Sequence, residues 1–130
     1  MPITLDELLD RARGDLVRVE PEQAAAELAD GALLVDIRPA DQRSSGGDIP
    51  GATVIDRNVL EWRLAPASQW RIAAITSPET RVIVLCSQGY SSSLAAATLR
   101  ELGLVNVTDV VGGFEAWQAA GLPTTKSEPI

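Results

Sequence analysis

The sequence predicts an α/β fold built on a mostly parallel sheet. The first observation is Val82–Leu85, an uninterrupted apolar run that is rich in β-branched residues and too short for a lone helix. Such a run is typical of a strand buried on both faces. The second observation is that similar runs alternate with helical segments along the chain, which is typical of parallel sheets. The third is a length of 130 residues, which suits one domain with its own core.

A helix is predicted at the N-terminus, where Thr4 and Glu7 have the spacing of a capping box and Gly14 ends an amphipathic segment. Because this helix precedes the other elements, we interpret residues 1–16 as a capping helix that packs on the domain and stabilises it. Its apolar stripe consists of Leu5, Leu8, Leu9 and Ala12.

The first half of the chain then alternates strand and helix. Residues 16–19 are predicted to form a short strand, and Pro21 stands at the first position of a helix that continues to Ala29. Residues 32–37 are a second, buried strand. Residues 39–47 are polar and show no hydrophobic periodicity, so they are predicted to form a loop whose last four residues are its most flexible part.

A third strand is predicted at residues 52–55, followed by a short helix for which Asn58 and Glu61 form a cap-like pair. In the second half, the strand Val82–Leu85 leads through a polar loop into a helix that Gly103 stops. Residues 106–111 form the last predicted strand. The final helix begins after two glycines, and its Phe114 and Trp117 are expected to pack in the core.

Cys86, the only cysteine of the chain, stands at the carboxyl end of the central strand, directly before the polar loop and its helix. The amides of such a loop and of the first helical turn lack intrahelical acceptors, and the helix dipole adds partial positive charge, so the geometry favours an anion. A thiolate held there has a lowered pKa and is a competent nucleophile. A lone cysteine after an apolar strand is otherwise an inert packing residue. The loop and the helix favour the nucleophile.

Composition excludes several functions. The net charge of −7 argues against nucleic acid or an anionic membrane as a partner. The chain has no histidine, which excludes Cys-His and Ser-His-Asp catalysis and, with a single thiol, argues against a zinc site. The acidic start differs from a secretory signal, and no apolar run has the length of a membrane span. The expected location is therefore cytoplasmic, where reducing conditions keep a thiol free.

Four segments, in the right order, resemble the rhodanese-type sulfurtransferases. Residues 86–92, Cys-Ser-Gln-Gly-Tyr-Ser-Ser, are similar to the family's active-site loop, C-x-x-G-x-(R/S/T)-S. Residues 34–38 are similar to its strand end L-(I/V)-D-V-R. Residues 48–52 are similar to the end of its G-H-I-P-G-A segment, with an aspartate in place of the frequent histidine. Residues 111–117 are similar to its late G-G-x-x-x-W helix start.

The resemblance implies a three-layer domain over residues 17–124, with helices on both faces of the sheet and a flexible tail at residues 125–130. It implies that a sulfane sulfur moves from thiosulfate or a persulfide donor to a thiol or cyanide through a persulfide on Cys86. Asp36 and Arg38 are expected to brace the active loop. This chemistry uses neither a metal nor an organic cofactor. Its partners are small sulfur donors and thiol acceptors, with a protein as a further candidate acceptor. The expected persulfide-binding loop consists of Ser87, Gln88, Gly89, Tyr90, Ser91 and Ser92.

Arg57 is a further candidate site residue, because it follows a predicted strand end on the side where the Cys86 loop is expected. On the rim of the pocket it would attract an anionic substrate. The alternative is that Arg57 is solvated and that Trp62 and Trp70 pack their rings on the sheet. The sequence leaves both possibilities open.

Two other functions are compatible with a cysteine in an amide loop. The first is a non-catalytic sulfur carrier, sensor or docking module, because the loop lacks basic residues beside the cysteine. The second is a cysteine phosphatase or arsenate reductase. Phosphatases of the C-x5-R type need an arginine to clamp the phosphoryl oxygens, and this chain has Ser92 at that position. The phosphatase is therefore disfavoured.

Overall fold

The computed structural model describes residues 1–126 and shows an α/β domain with a four-stranded parallel sheet. The strands are β1 (Leu33–Asp36), β2 (Thr53–Val54), β3 (Val82–Leu85) and β4 (Val107–Asp109). The helices are α1 (Leu5–Arg13), α2 (Pro21–Ala29), α3 (Ala40–Gly46), α4 (Leu60–Leu64), α5 (Ser91–Glu101) and α6 (Gly113–Ala119). A single 3-10 turn at Arg57–Val59 precedes α4.

The order of the strands across the sheet is β2-β1-β3-β4, which places β3 between β1 and β4. Leu33 to Asp36 pair with Val82 to Leu85 in parallel register, and Val84 pairs with Asp109. Because all four strands run the same way, their carboxyl ends meet at one edge of the sheet. Asp36, Cys86 and Asp109 therefore lie side by side at that edge.

Helices cover both faces of the sheet, which confirms the predicted three layers. Val82 and Val84 point to one face and belong to a core cluster with the leucines of α4 and with Leu99 of α5. Ile83 and Leu85 point to the other face and pack with Trp117 of α6 and with α2. All four β3 side chains are fully buried, because each face of the central strand meets its own layer of helices. Helix α1 packs on the outside of α5.

The N-terminal helix is confirmed with its capping box, in which the Thr4 hydroxyl accepts from the Glu7 amide and the Glu7 carboxylate accepts from the Thr4 amide. The strand predicted at residues 16–19 is wrong. Val19 alone forms a parallel bridge, with Val110. Pro21 begins α2 two residues later and prevents pairing beyond Val19, while Val17 before it is 85% exposed, so the chain there runs outside the sheet.

The loop predicted at residues 39–47 is also wrong, because residues Ala40–Gly46 form α3. The Arg43 amide donates to the Pro39 carbonyl at 3.1 Å and starts the helix. A Cβ on Gly46 would lie 2.9 Å from the Phe114 ring, so this segment packs closely on α6. The helix buries none of its own residues, which explains why no apolar period announced it.

The cap predicted at Asn58 is displaced by two residues. The Asp56 side chain accepts from the Asn58 amide at 2.7 Å and caps the 3-10 turn before α4. Trp62 and Trp70 are 57% and 59% exposed, so the expectation that their rings pack on the sheet is wrong. Leu60 and Leu64 of the same short helix are buried instead.

The last described residues are tied to the domain by a short antiparallel pairing. The amides of Asp48 and Thr125 each donate to the other residue's carbonyl at 2.7 Å. The tail was expected to begin at residue 125. Residues 127–130 lie outside the described residues, and the expected flexibility of that part of the tail stays a prediction.

Helix α5 offers a matched test of the core. Leu99 is fully buried and Leu102, at the end of the same helix, is 43% exposed. We expect Leu99→Ala to lower the free energy of unfolding by about 3 kcal/mol, because the lost leucine leaves a cavity. We expect Leu102→Ala to lower it by less than about 1 kcal/mol. Urea denaturation followed by far-UV circular dichroism measures both, and equal losses would contradict this assignment of the buried face.

Candidate active site

The candidate active site lies at the carboxyl edge of the sheet, where β3 ends at Leu85 and a five-residue connection that begins with Cys86 leads to α5. The Cys86 side chain is almost buried, with 6% of the residue exposed, and it faces a small cavity of about 250 Å³. The lining consists of Ile37, Arg38, Pro39, Gln42, Cys86, Ser87, Gln88, Tyr90 and Ser91. The cavity thus contains most of the loop residues that the sequence predicts, together with the strand end that follows β1.

Two backbone amides point at the sulfur. The Gly89 amide donates to Cys86 Sγ at 3.2 Å, and the Ser92 amide, in the first turn of α5, donates to it at 3.4 Å. Gly89 has a φ of 84°, in the left-handed region that favours glycine. The chain can therefore curl around the sulfur, and the dipole at the start of α5 adds to the positive potential there.

The carbonyl groups at the start of the loop point away from the sulfur and bind the beginning of α6. The Phe114 amide donates to the Cys86 carbonyl at 2.8 Å, and the Glu115 amide donates to the Ser87 carbonyl at 3.0 Å. A Cβ on Gly113 would lie 2.8 Å from the Gln88 nitrogen, closer than real side chains come. The late pair of glycines in the sequence thus allows α6 to approach the active loop.

A second set of contacts, which the sequence reasoning missed, centres on Asp109. This carboxylate is fully buried at the end of β4, next to the cysteine strand. Its Oδ2 accepts from the hydroxyls of Ser92 and Ser93, both at 2.8 Å, and its Oδ1 accepts from Arg18 Nε at 2.9 Å. The signal available in the sequence was a charged aspartate inside a predicted strand, a charge that burial makes costly unless it is paired.

Asp36 and Arg38 form a buried pair on the opposite side of the cysteine strand. Arg38 Nη2 donates to Asp36 Oδ2 at 2.7 Å, and both side chains are 1% exposed. The same nitrogen donates to the Gly47 carbonyl at 2.8 Å, and the guanidinium lies 3.7 Å from the centre of the Phe114 ring. Arg38 thus connects the end of β1 to Gly47 and to Phe114, and the bracing role expected for the two residues stays a prediction.

The structure does not bring Arg57 to the cavity. Arg57 Nη1 donates to both carboxylate oxygens of Glu61, at 2.9 and 2.8 Å, one turn along α4. Arg57 is absent from the residues that line the Cys86 cavity. The charge that the sequence suggested for the rim of the pocket is thus neutralised by a neighbour in the chain.

The pKa of the Cys86 thiol is lowered from its ordinary value. Burial acts in the opposite direction and raises the pKa, because a charged sulfur loses hydration. Hydrogen bonding from Ser92, Ser91 and Gly89 outweighs this effect by favouring the thiolate. The net result is a sulfur that is more readily ionised than a free thiol.

Residues 1–126 hold no group of three or more histidine, cysteine, aspartate or glutamate side chains that could share a metal ion. None of the described helices combines the length and the apolar character that crossing a membrane requires.

A parallel α/β domain in which two loop amides donate to a single cysteine is typical of the class of proteins that use a thiolate for group transfer. Within that class the family is shown directly, because a model of the rhodanese-like domain matches residues 20–120. The chain therefore belongs to the rhodanese-like domain family.

Curated relatives agree with this assignment. The chain is 40% identical over 102 residues to the thiosulfate sulfurtransferase GlpE of Pseudomonas entomophila, a match that covers 78% of this chain and 84% of the relative. It is 37% identical over 106 residues to the GlpE protein of Actinobacillus succinogenes, which covers 81% and 86% of the two chains.

Two solved structures are similar over nearly the whole chain. A protein of unknown function from Rhodopseudomonas palustris, described as a possible tyrosine phosphatase, aligns with a TM-score of 0.83 and 30% identity over 95% of this chain and 98% of that one. The polysulfide-sulfur transferase of Wolinella succinogenes aligns with a TM-score of 0.73 and 28% identity over 91% and 84% of the two chains.

The lowered pKa of Cys86 predicts a specific pH dependence. We expect the rate of alkylation by iodoacetamide to rise with pH around a midpoint below that of the same thiol in the urea-unfolded chain, because only the thiolate reacts. Ionisation at lower pH in the folded state adds stability that is complete above the unfolded pKa and is lost as pH falls through the folded pKa. Intact-mass kinetics at a series of pH values measure the midpoint, and one equal to or above the unfolded value would refute the prediction.

Proposed function

We propose that Cys86 is the sulfur-carrying nucleophile of a rhodanese-type sulfurtransferase. The observation that carries the proposal is the sulfur itself, which faces a small cavity while the Gly89 and Ser92 amides donate to it. Membership of the rhodanese-like family and the GlpE relatives support the same activity. The protein thus moves a sulfane sulfur from a donor such as thiosulfate to an acceptor.

In the first half-reaction, the Cys86 thiolate attacks the outer sulfur of thiosulfate. A new sulfur–sulfur bond forms, and the bond inside thiosulfate breaks and sends its electron pair to departing sulfite. Cys86 then carries a persulfide whose outer sulfur is anionic. The amides of the loop and of the first turn of α5 are placed to stabilise this charge, as they stabilise the thiolate.

In the second half-reaction, an acceptor nucleophile takes the outer sulfur from Cys86. With cyanide, a carbon–sulfur bond forms, the persulfide bond breaks, and its electron pair returns to Cys86 as the thiolate. With a thiolate acceptor the product is a new persulfide. Neither half-reaction needs a proton to be moved to or from carbon or sulfur, which suits a chain without histidine.

The cavity also bears on the donor. Arg38 is the only arginine or lysine in its lining, and its charge is paired with Asp36. The sulfonate of thiosulfate would therefore be bound by amides, hydroxyls and the helix dipole. A persulfide donor, which brings no sulfonate, is an equal candidate, and small thiols are the proposed acceptors. A reactive thiol of this kind is best kept free in a reducing compartment such as the cytoplasm.

A phosphatase activity is not favoured, although a structural neighbour carries that description. The residue six positions after the cysteine is Ser92, whose hydroxyl donates to Asp109 at 2.8 Å. Cysteine phosphatases of the C-x5-R type use a guanidinium to bind the phosphoryl oxygens, and Arg38, the guanidinium in this cavity, is bound to Asp36. The second candidate function that stays open is a sulfur carrier with slow turnover.

The first prediction of the proposal concerns the covalent intermediate. We expect the protein incubated with thiosulfate to gain the mass of one sulfur atom, because the persulfide outlives sulfite release. Cyanide should remove the added mass. Intact-mass spectrometry measures both steps, with Cys86→Ser as the control that keeps the fold and gains nothing.

No added sulfur from thiosulfate or from any small persulfide would refute sulfur transfer through Cys86. Steady-state kinetics then separate the two readings of a positive result. When the reciprocal rate is plotted against the reciprocal thiosulfate concentration at several cyanide concentrations, parallel lines show ping-pong turnover by an enzyme. A loaded protein that exchanges its sulfur only slowly is a carrier.

The Arg57–Glu61 pair generates the second prediction. We expect Arg57→Ala to leave both kcat and KM for thiosulfate within about twofold of the parent values, because the pair lies outside the cavity and an exposed ion pair contributes little. Glu61→Ala is the matched variant, since it frees the Arg57 charge. A several-fold rise in KM for Arg57→Ala alone would return Arg57 to the donor site.

A further inference from the structure

The segment that precedes the matched family domain reaches the active loop with two arginines. Arg13, the last residue of α1, donates from Nη2 to the Gly89 carbonyl at 2.8 Å. Arg18 donates from its own Nη2 to the same carbonyl at 2.9 Å. Both residues lie before residue 20, where the family match begins. The loop around the sulfur is therefore held by two residues that lie outside the matched family domain.

The two guanidinium groups belong to one partly buried network. Arg13 Nε donates to the Ser93 hydroxyl at 2.9 Å, and Ser93 donates to Asp109 at 2.8 Å. Arg18 Nε donates to the same carboxylate at 2.9 Å. Two positive charges and one negative charge leave a net positive charge directly behind the loop. The Arg18 side chain is only 18% exposed, so its charge is weakly screened.

The shared carbonyl matters because of the residue that carries it. Gly89 donates its amide to the sulfur on one side and presents its carbonyl to the arginines on the other. Glycine resists rotation less than any other residue. Rotation here would misalign the Gly89 amide or turn a carbonyl oxygen toward an anionic sulfur. Two charged donors on the carbonyl make that rotation costly.

Other charged groups near the sulfur leave this role unfilled. On the β1 side, Asp36 and Arg38 neutralise each other. On the α6 side, Glu115 accepts from the Gln88 side chain at 3.1 Å and contributes negative charge. On the α5 side, the titratable Tyr90 ring lies 5.8 Å from the Arg13 guanidinium. Among the described groups around the loop, Arg13 and Arg18 are therefore the arginines that provide an excess of positive charge, because their network contains two guanidinium groups and one carboxylate, that of Asp109.

We propose that Arg13 and Arg18 are positioning residues for sulfur transfer, which hold the Gly89 carbonyl and so limit backbone rotation at Gly89, keeping the loop amides directed at the sulfur, and which place positive charge behind it. The N-terminal helix is then part of the active site's support and more than a stabilising appendage. The proposal rests on the proposed function only for its effect on turnover. Its effect on the thiolate exists whether or not the protein transfers sulfur.

The test compares two variants that remove the same charge from the same helix. Arg13→Gln removes a donor to Gly89. Arg11→Gln removes an exposed arginine whose side chain makes no hydrogen bond within residues 1–126. We expect the pH midpoint of Cys86 alkylation to rise in Arg13→Gln, because the thiolate loses a favourable charge and a fixed amide. We expect kcat with thiosulfate and cyanide to fall about tenfold, as for a misplaced catalytic group. Arg11→Gln should leave both measurements unchanged.

Arg13→Lys and thermal denaturation separate positioning from stability alone. Lysine keeps the charge and one donor, so its alkylation midpoint should lie between those of the parent and Arg13→Gln. A midpoint in Arg13→Gln equal to that of the parent, with activity lost only in proportion to unfolded protein, would overturn the proposal. Failure of the parent protein to accept sulfur would refute the proposed function instead and would leave the comparison of alkylation midpoints intact.

Discussion

The active loop depends on a single constraint, which is the direction of its peptide groups. The amides of Gly89 and Ser92 point at Cys86 Sγ because other carbonyls of the same loop are bound elsewhere. The Cys86 and Ser87 carbonyls accept from amides in the first turn of α6, and the Gly89 carbonyl accepts from Arg13 and Arg18. A short loop with free carbonyls would relax and lose this orientation. The orientation of the two amides that donate to the sulfur therefore depends on contacts along the whole carboxyl edge of the sheet.

Two buried aspartates organise that edge symmetrically. Asp36 ends β1 and Asp109 ends β4, on either side of the strand that the cysteine follows. Each carboxylate binds an arginine, and each arginine also donates to a loop carbonyl, that of Gly47 on one side and that of Gly89 on the other. Removing one partner of such a pair leaves an uncompensated buried charge, at a cost of about 3–5 kcal/mol. Fold stability and loop geometry are thus linked.

The sequence was sufficient for the fold class, the position of the cysteine loop and its glycine, because short apolar runs and small polar loops depend on local composition. It was insufficient for α3, whose residues are polar and whose close contact with Phe114 involves a residue distant in the chain. Arg57 looked like a site residue because strand ends often carry sites, but its partner Glu61 lies one turn away and takes its charge. Arg13 was missed because its contacts with Gly89 and Ser93 depend on how α1 packs on α5, which no local pattern encodes. Asp109 was missed although a charge inside a strand signals a buried partner.

The anchoring of the loop has a consequence for the energy of the reaction cycle. In the proposed chemistry, the sulfur that faces the cavity carries one negative charge as the thiolate and one negative charge as the persulfide. The surrounding dipoles, fixed by α6 and by the two arginines, meet the same charge before and after each half-reaction. Little dipole reorientation is then required when sulfur is loaded or discharged. A rigid domain with small reorganisation energy can serve both a donor and an acceptor without an opening or closing step.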